Sequence, residues 1–195
     1  MATQKHRSES TRAQLLKAFR ASFLKRGFDA TTTQQVLAET GLSKGAMYHH
    51  FRSKADIIQA LYEDESRGAI ERALKTVDQD GTPLTRLRDV YIAWMREVRS
   101  PSVSKMLFEI GPSALGSRRA KEIEDEISLK RIEALLDEAA TAGEIELQDA
   151  KLTAALLNAL VGEAALHRLR TGKDTTAVLK RTLDAVLDSL RAGAD

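Results

Sequence analysis

Apolar residues recur at helical spacing through nearly the whole chain. From about Ser8 to Arg26, Leu15, Leu16, Phe19 and Phe23 form one stripe, while Arg12, Lys17, Arg20 and Lys25 point elsewhere. This predicts a first helix that Gly27 caps, with Phe28 folding back onto the same core. Met1 to Arg7 is polar and reads as a mobile end, from which Lys5 and Arg7 can reach phosphates or a minor groove. Thr32-Thr-Gln-Gln35 fits a capping box for a second helix. Val36, Leu37 and Thr40 share one of its faces, Gly41 stops it, and Leu42 plugs the turn. Ser43 caps a third helix that runs to about Phe51.

That third helix divides in two. Met47, His50 and Phe51 fall on one side and can pack inward. Lys44, Gly45, Tyr48 and His49 fall on the other. A cation, a gap, a phenol and an imidazole are an unusual set for a merely solvated face. Gly45 lets the backbone approach a partner closely, as a recognition helix in a major groove must.

The same periodicity continues. Ser53-Lys-Ala-Asp56 starts a long fourth helix, carried by Ile57, Leu61, Ile70 and Leu74 to about Asp78. Thr82-Pro83 opens a fifth, which Ser100-Pro101 breaks. A helix with Val103, Met106, Leu107 and Ile110 ends at a Gly111-Pro112 break, and about Gly116 to Ala142 is helical again. From about Asp149 to Leu169 the pattern is apolar on nearly every side, with many small residues. A last helix from Asp174 places Leu179, Leu183, Val186 and Leu190 on a seam that alternates three and four. The expectation is an all-α protein of about nine helices. It has a three-helix head over residues 1–52, with a helix-turn-helix at about 32–51, and a helical body over residues 53–195.

Composition narrows the function. The 195 residues contain no cysteine, so there is neither a disulfide frame nor a thiolate site. No apolar run approaches the roughly 18 residues of a membrane helix, and the polar, basic N-terminus lacks an apolar signal-peptide core, so the cytoplasm is expected. The net charge of +2 conceals a division. Residues 1–55 carry ten Lys and Arg against three Asp and Glu, and the remainder carries twenty against twenty-five. The basic end is the end with the helix-turn-helix pattern, the footprint expected for a polyanion partner.

Two motifs point to other chemistry and fail. Gly41-Leu-Ser-Lys-Gly45 satisfies the nucleophile-elbow pattern, but a capped helix stands where the elbow needs a strand. His49 and His50 are adjacent on a helix, pointing about 100° apart, so they do not converge on one metal ion. No catalytic constellation, metal site or cofactor is expected, and no enzyme.

Gly27-Phe28, Thr31-Thr32, Val36, Gly41, Ser43, Gly45, Tyr48, His50-Phe51 and Ser53-Lys54 together resemble the DNA-binding domain of the tetracycline-repressor (TetR) family over the first quarter of the chain. Leu37 and Thr40 depart from that pattern, standing where the family usually or often has Ala. The resemblance implies a ligand-responsive regulator, most simply a repressor, that binds a pseudo-palindromic double-stranded DNA operator as a homodimer. It places Thr33, Tyr48, His50 and Lys54 on phosphates and Lys44, Gly45, Ala46 and His49 against bases, with Thr32 and Ser43 in the same interface. Lys54 and the start of its helix form a natural phosphate site. The resemblance also implies a body that binds a small apolar or amphipathic inducer, for which Tyr91, Trp94, Met95, Met106, Phe108, Glu109 and His167 are the candidates. Glu109, Asn158, Glu163 and His167 stand in apolar stretches and need partners if buried. A dimer interface is expected on the last two helices, at Leu156, Ala159, Leu160, Leu179, Leu183, Val186 and Leu190.

Overall fold

The computed structural model describes residues 2–191, with side chains from His6 onward. Ten α-helices occupy the described residues. They are α1 (Ala2–Arg26), α2 (Thr33–Thr40), α3 (Lys44–His50), α4 (Lys54–Leu74), α5 (Pro83–Glu97), α6 (Pro101–Lys105), α7 (Gly111–Leu115), α8 (Ser117–Thr141), α9 (Ala150–Thr171) and α10 (Thr176–Ser189). A π-helical turn, Met106–Ile110, joins α6 to α7. The described residues contain no strand, only an isolated bridge between Ile145 and Arg191.

The chain forms two compact units. The first combines residues up to Glu65 with Lys105–Lys121, and the second holds Ser66–Ser104 and the chain from Glu122. The first core contains Leu15, Leu16, Phe19, Phe23, Val36, Leu37, Met47, Phe51, Ile57 and Leu61, as the periodicity predicts, together with Ile58. It also takes in Met106 and Ile110 from a distant part of the chain. Local spacing cannot reveal that addition, because it depends on tertiary packing. Lys105 Nζ donates to the Leu24 carbonyl at 2.8 Å, satisfying an oxygen in the last turn of α1. Within this unit Gly111 lies against the Tyr62 ring, where an added Cβ would fall 2.1 Å from a ring carbon.

In the second unit Leu179, Leu183 and Leu187 of α10 are buried, and α10 packs on α5 and α9. A smaller cluster joins Ala73, Val77, Val90 and Ala93, with Trp94 against it.

Several boundaries differ from expectation. Residues 2–7 belong to α1 rather than to a free arm, and the Lys5 side chain lies outside the described set. Helix α4 stops at Leu74, short of Asp78. The chain does not break at Gly111-Pro112. The Gly111 N–H donates to the Met106 carbonyl, five residues back, and the helix continues to Gly116. Pro112 has no N–H to give, and the wider π-turn just before it lets the helix run on. Thr40 is exposed, its hydroxyl donating to the Val36 carbonyl at 2.8 Å, so it leaves the packing face to Val36 and Leu37.

Candidate nucleic-acid interface

Helix α2 begins with the complete reciprocal cap. The Gln35 N–H donates to Thr32 Oγ1 at 3.3 Å, and the Thr32 N–H donates to Gln35 Oε1 at 3.4 Å. The helix ends at Gly41 with φ 69°, the left-handed conformation that a side chain disfavours. Ser43 Oγ then accepts the Ala46 N–H at 3.0 Å and starts α3. Buried Met47 and Phe51 anchor α3 to the core. Thr31 is fully buried, and its hydroxyl donates to the Gly27 carbonyl at 2.7 Å, fixing the α1–α2 connection.

With α3 pinned from one side, its other side is presented. Lys44, Gly45 and His49 are exposed, and Tyr48 is half exposed, with Lys44 Nζ 5.8 Å from its ring centroid. The nearest atom to a Cβ built on Gly45 is Ser43 Oγ at 3.9 Å, so nothing within the chain demands glycine there. Ala46 and His50 are half buried. The His49 and His50 rings meet edge to face at 5.0 Å. Burial, reinforced by His49 and by Arg12, holds the His50 imidazole below its ordinary pKa. Thr32 and Ser43 act first as caps, and Thr33 is the half-buried first residue of α2.

Lys54 has partners within its own unit. Its Nζ donates to the Phe28 carbonyl at 2.8 Å and the Thr31 carbonyl at 3.0 Å, and lies 4.1 Å from the Phe28 ring centroid. The start of α4 is also occupied. The Asp56 carboxylate accepts the Arg52 N–H at 2.9 Å and the Ser53 hydroxyl at 2.9 Å. Ser53 Oγ in turn accepts the Asp56 N–H at 3.1 Å, and the Asp56 carboxylate adds a negative charge to the first turn. Lys54 is therefore a brace for the α1–α2 connection.

Arg12, read from the sequence as pointing away from the α1 stripe, lies instead toward α3. Its guanidinium lies 5.5 Å from the Phe51 ring centroid, at the end of α3. The signal was present, since Arg12, Leu16, Phe19 and Phe23 are spaced four, three and four.

The residues grouped as a ligand set are divided between the units. Met106, Phe108 and Glu109 belong to the first, and Tyr91, Trp94, Met95 and His167 to the second. Met106 is a core residue of the first unit, and Glu109 is exposed. Glu163 and His167 are exposed too, with Glu163 paired to Arg170. Of the four polar residues noted in apolar stretches, Asn158 alone is held inside. Tyr91 Oη donates to Asn158 Oδ1 at 2.8 Å, and Asn158 Nδ2 donates to Ser128 Oγ at 2.9 Å. Burial pushes the Tyr91 phenol far above its ordinary pKa.

The expected interface residues also separate. Ala154, Leu157, Val161 and Ala165 form the buried stripe of α9. Leu152, Leu156, Ala159 and Glu163 form the opposite, exposed stripe, with Leu156 at 63% exposure. Leu160, Val186 and Leu190 are half buried. Leu179 and Leu183 are in the core of their own unit, so the seam read on α10 is used within the chain, whereas Val178 is 57% exposed.

A short polar helix held by a capped turn and a buried core defines a helix-turn-helix protein of the DNA-binding type. Residues 15–61 match the family described as bacterial regulatory proteins, tetR family, and residues 84–192 match the tetracyclin repressor-like C-terminal domain. The chain belongs to the TetR family of regulatory proteins. It is 29% identical over 117 residues to the HTH-type transcriptional repressor KstR2 of Mycobacterium tuberculosis, a stretch covering 60% of this chain and 58% of that one. The chain thus spans little more than half the length of that curated relative. It is 27% identical over 207 residues to the HTH-type transcriptional repressor BepR of Brucella suis, covering 100% of this chain and 99% of BepR. A TetR-family regulator from Pectobacterium atrosepticum shares the fold, with a TM-score of 0.78 at 24% identity over 96% of this chain and 97% of that one. No helix among the described residues is long and apolar enough to cross a membrane.

Proposed function

We propose that the chain is a ligand-responsive transcriptional repressor, a binding protein of the cytoplasm rather than an enzyme. The observation that carries this reading is the outward face of α3. Lys44, Gly45, Tyr48 and His49 are presented by a helix whose other face is locked into the core, and a Cβ on Gly45 would meet only Ser43 Oγ, at 3.9 Å. Lys44, Gly45, Ala46 and His49 face bases in a major groove, while Thr33, Tyr48 and His50 hold backbone phosphates. Lys54 contributes by holding Phe28 and Thr31 in place.

The operator is a pseudo-palindrome read by a homodimer, with half-sites about 34–36 Å apart, one turn of the duplex. The exposed apolar stripe of α9 supports the dimer. Leu152 and Leu156 stand in water in the isolated chain, and the Ala159 position allows a second helix to come close. The effector site belongs to the second unit, around Tyr91, Trp94, Met95 and Asn158. The Tyr91–Asn158 pair is the polar handle that this reading assigns to a small amphipathic effector. Such a ligand regulates DNA binding only if it binds two states of the dimer unequally.

A retardation assay on the upstream region of the chain's own gene tests the reading. Lys44→Ala or His49→Ala is expected to lower discrimination against random duplex by about 1–3 kcal/mol. An equal loss on both duplexes makes these residues backbone contacts.

A further inference from the structure

Where α1 meets the end of α3, three groups that can carry positive charge come together, and no acid among the described residues is paired with them. Arg12 lies over the Phe51 ring and has no ion pair among the described residues. His50 is half buried beside that ring, at 6.3 Å between centroids. His49 meets His50 edge to face. Of the charged groups on the elements packed against His50, Arg12 from α1 and His49 from its own helix act on it, and both oppose its protonation. Arg12 and His50 thus stand side by side next to the face of α3 already assigned to DNA. An anion between them would reverse the repulsion, and the only anion that DNA offers at this height is a backbone phosphate.

We propose that Arg12 and His50 grip one backbone phosphate of the duplex between them, and that His50 takes up a proton from solvent as the complex forms. This rests on the DNA-binding reading above. It adds a residue from α1 to the interface, and it makes the affinity depend on pH. Arg12 is suited to the role because it is exposed and its planar fork lies over the Phe51 ring. In the free protein burial, with His49 and Arg12 beside it, holds the imidazole's proton affinity below its ordinary value. In the complex the phosphate charge offsets both neighbours and raises the proton affinity. The proton is bound more tightly in the complex than in the free chain, so affinity rises as pH falls. The gain begins as pH drops through the value of the complex and is complete below the value of the free protein.

The test uses the full chain and a mixed-sequence duplex of about thirty base pairs at low salt, since a phosphate contact is blind to sequence. Calorimetry near pH 7 in two buffers of different ionisation enthalpy counts the protons. The wild type is expected to take up a substantial fraction of one proton per head. Between about pH 8 and pH 6 its affinity is expected to rise up to about tenfold per head for each pH unit within the window. His50→Gln is expected to abolish the uptake and His49→Gln to keep it. Arg12→Gln is expected to shallow the slope of log K against log salt by about 0.9 per head. Binding by the wild type without proton uptake overturns the proposal while leaving the DNA-binding reading standing, and this result needs no variant to fold. Uptake that survives in His50→Gln, uptake that disappears in His49→Gln, or an unchanged slope in a folded Arg12→Gln overturns it as well. Absence of any duplex binding at low salt removes the DNA-binding reading itself, and the proposal falls with it.

Discussion

Two exposed surfaces of this chain are left unexplained by its own packing, and they are opposite in chemistry. On α3 the outward side is Lys44, Gly45, Tyr48 and His49, polar and basic. On α9 it is Leu152, Leu156 and Ala159, apolar apart from Glu163 in the same stripe. Both helices bury the face behind, at Met47 in one case and at Ala154, Leu157, Val161 and Ala165 in the other. Each helix is therefore held independently of whatever it meets outside. The difference lies in what water does to the two faces. Water competes well for Lys44 and His49, so that face gains only from a partner with fixed charge and base edges to read. Water competes poorly for Leu152 and Leu156, so that face gains from almost any matching apolar surface. The first surface confers selectivity and the second assembly.

The largest effect that can break this comparison is a buried charge set against an exposed one. Leu183→Glu places a carboxylate at a fully buried position and is expected to unfold the second unit, at a cost of several kcal/mol. Leu156→Glu places the same group on the outer stripe of α9. It is expected to leave helicity and melting intact at low concentration, to dissociate the dimer in sedimentation, and to remove tight operator binding. If both variants unfold alike, α9 has no free face and the assembly argument fails.

Glycine offers a sharper pair. Gly111→Ala drives a Cβ to 2.1 Å from the Tyr62 ring and is expected to destabilise by about 1–3 kcal/mol in a denaturant melt. Gly45→Ala meets nothing closer than 3.9 Å and is expected to keep or slightly raise stability, by up to about 1 kcal/mol. Duplex affinity should nevertheless fall, because the methyl stands where the backbone must approach the groove. A stable Gly45→Ala protein with unchanged affinity would remove α3 from the groove.

The smallest effect distinguishes a brace from a contact. Lys54→Met removes two hydrogen bonds to backbone carbonyls and is expected to cost about 1–3 kcal/mol in the melt. If Lys54 is only a brace, the salt dependence of duplex binding stays as steep as in the wild type. A slope shallower by about 0.9 per head returns Lys54 to the phosphates.

What could be read from sequence follows the range of the physics involved. The capping box at Thr32, the stop at Gly41 and the split faces of α3 depend on a few neighbouring residues, and all of them stand in the structure. The buried seam of α10 was equally legible as a stripe, but its partner was not. An apolar heptad looks the same whether it faces its own chain or another, and Leu179 and Leu183 face their own. Long-range placement was illegible altogether. Nothing near Met106 or Ile110 announces that they join the core built by α1 to α4. Lys54 shows a related limit. A lysine beside a helix start suits a phosphate on local grounds, and only the fold brings Phe28 and Thr31 within its reach. Arg12 was set apart from the α1 stripe, although its four-three-four spacing with Leu16, Phe19 and Phe23 puts it on the same side.

Hydroxyl-radical footprinting of the full chain on the upstream region of its own gene tests the central claim most directly, that the outward face of α3 reads duplex DNA in a two-fold assembly. Two protected patches related by a dyad are expected, with centres about one helical turn, 10–10.5 base pairs, apart. Lys44→Ala should lose them at salt concentrations where the wild type keeps them. A single patch, or protection that Lys44→Ala leaves unaltered at every salt concentration, would contradict the account.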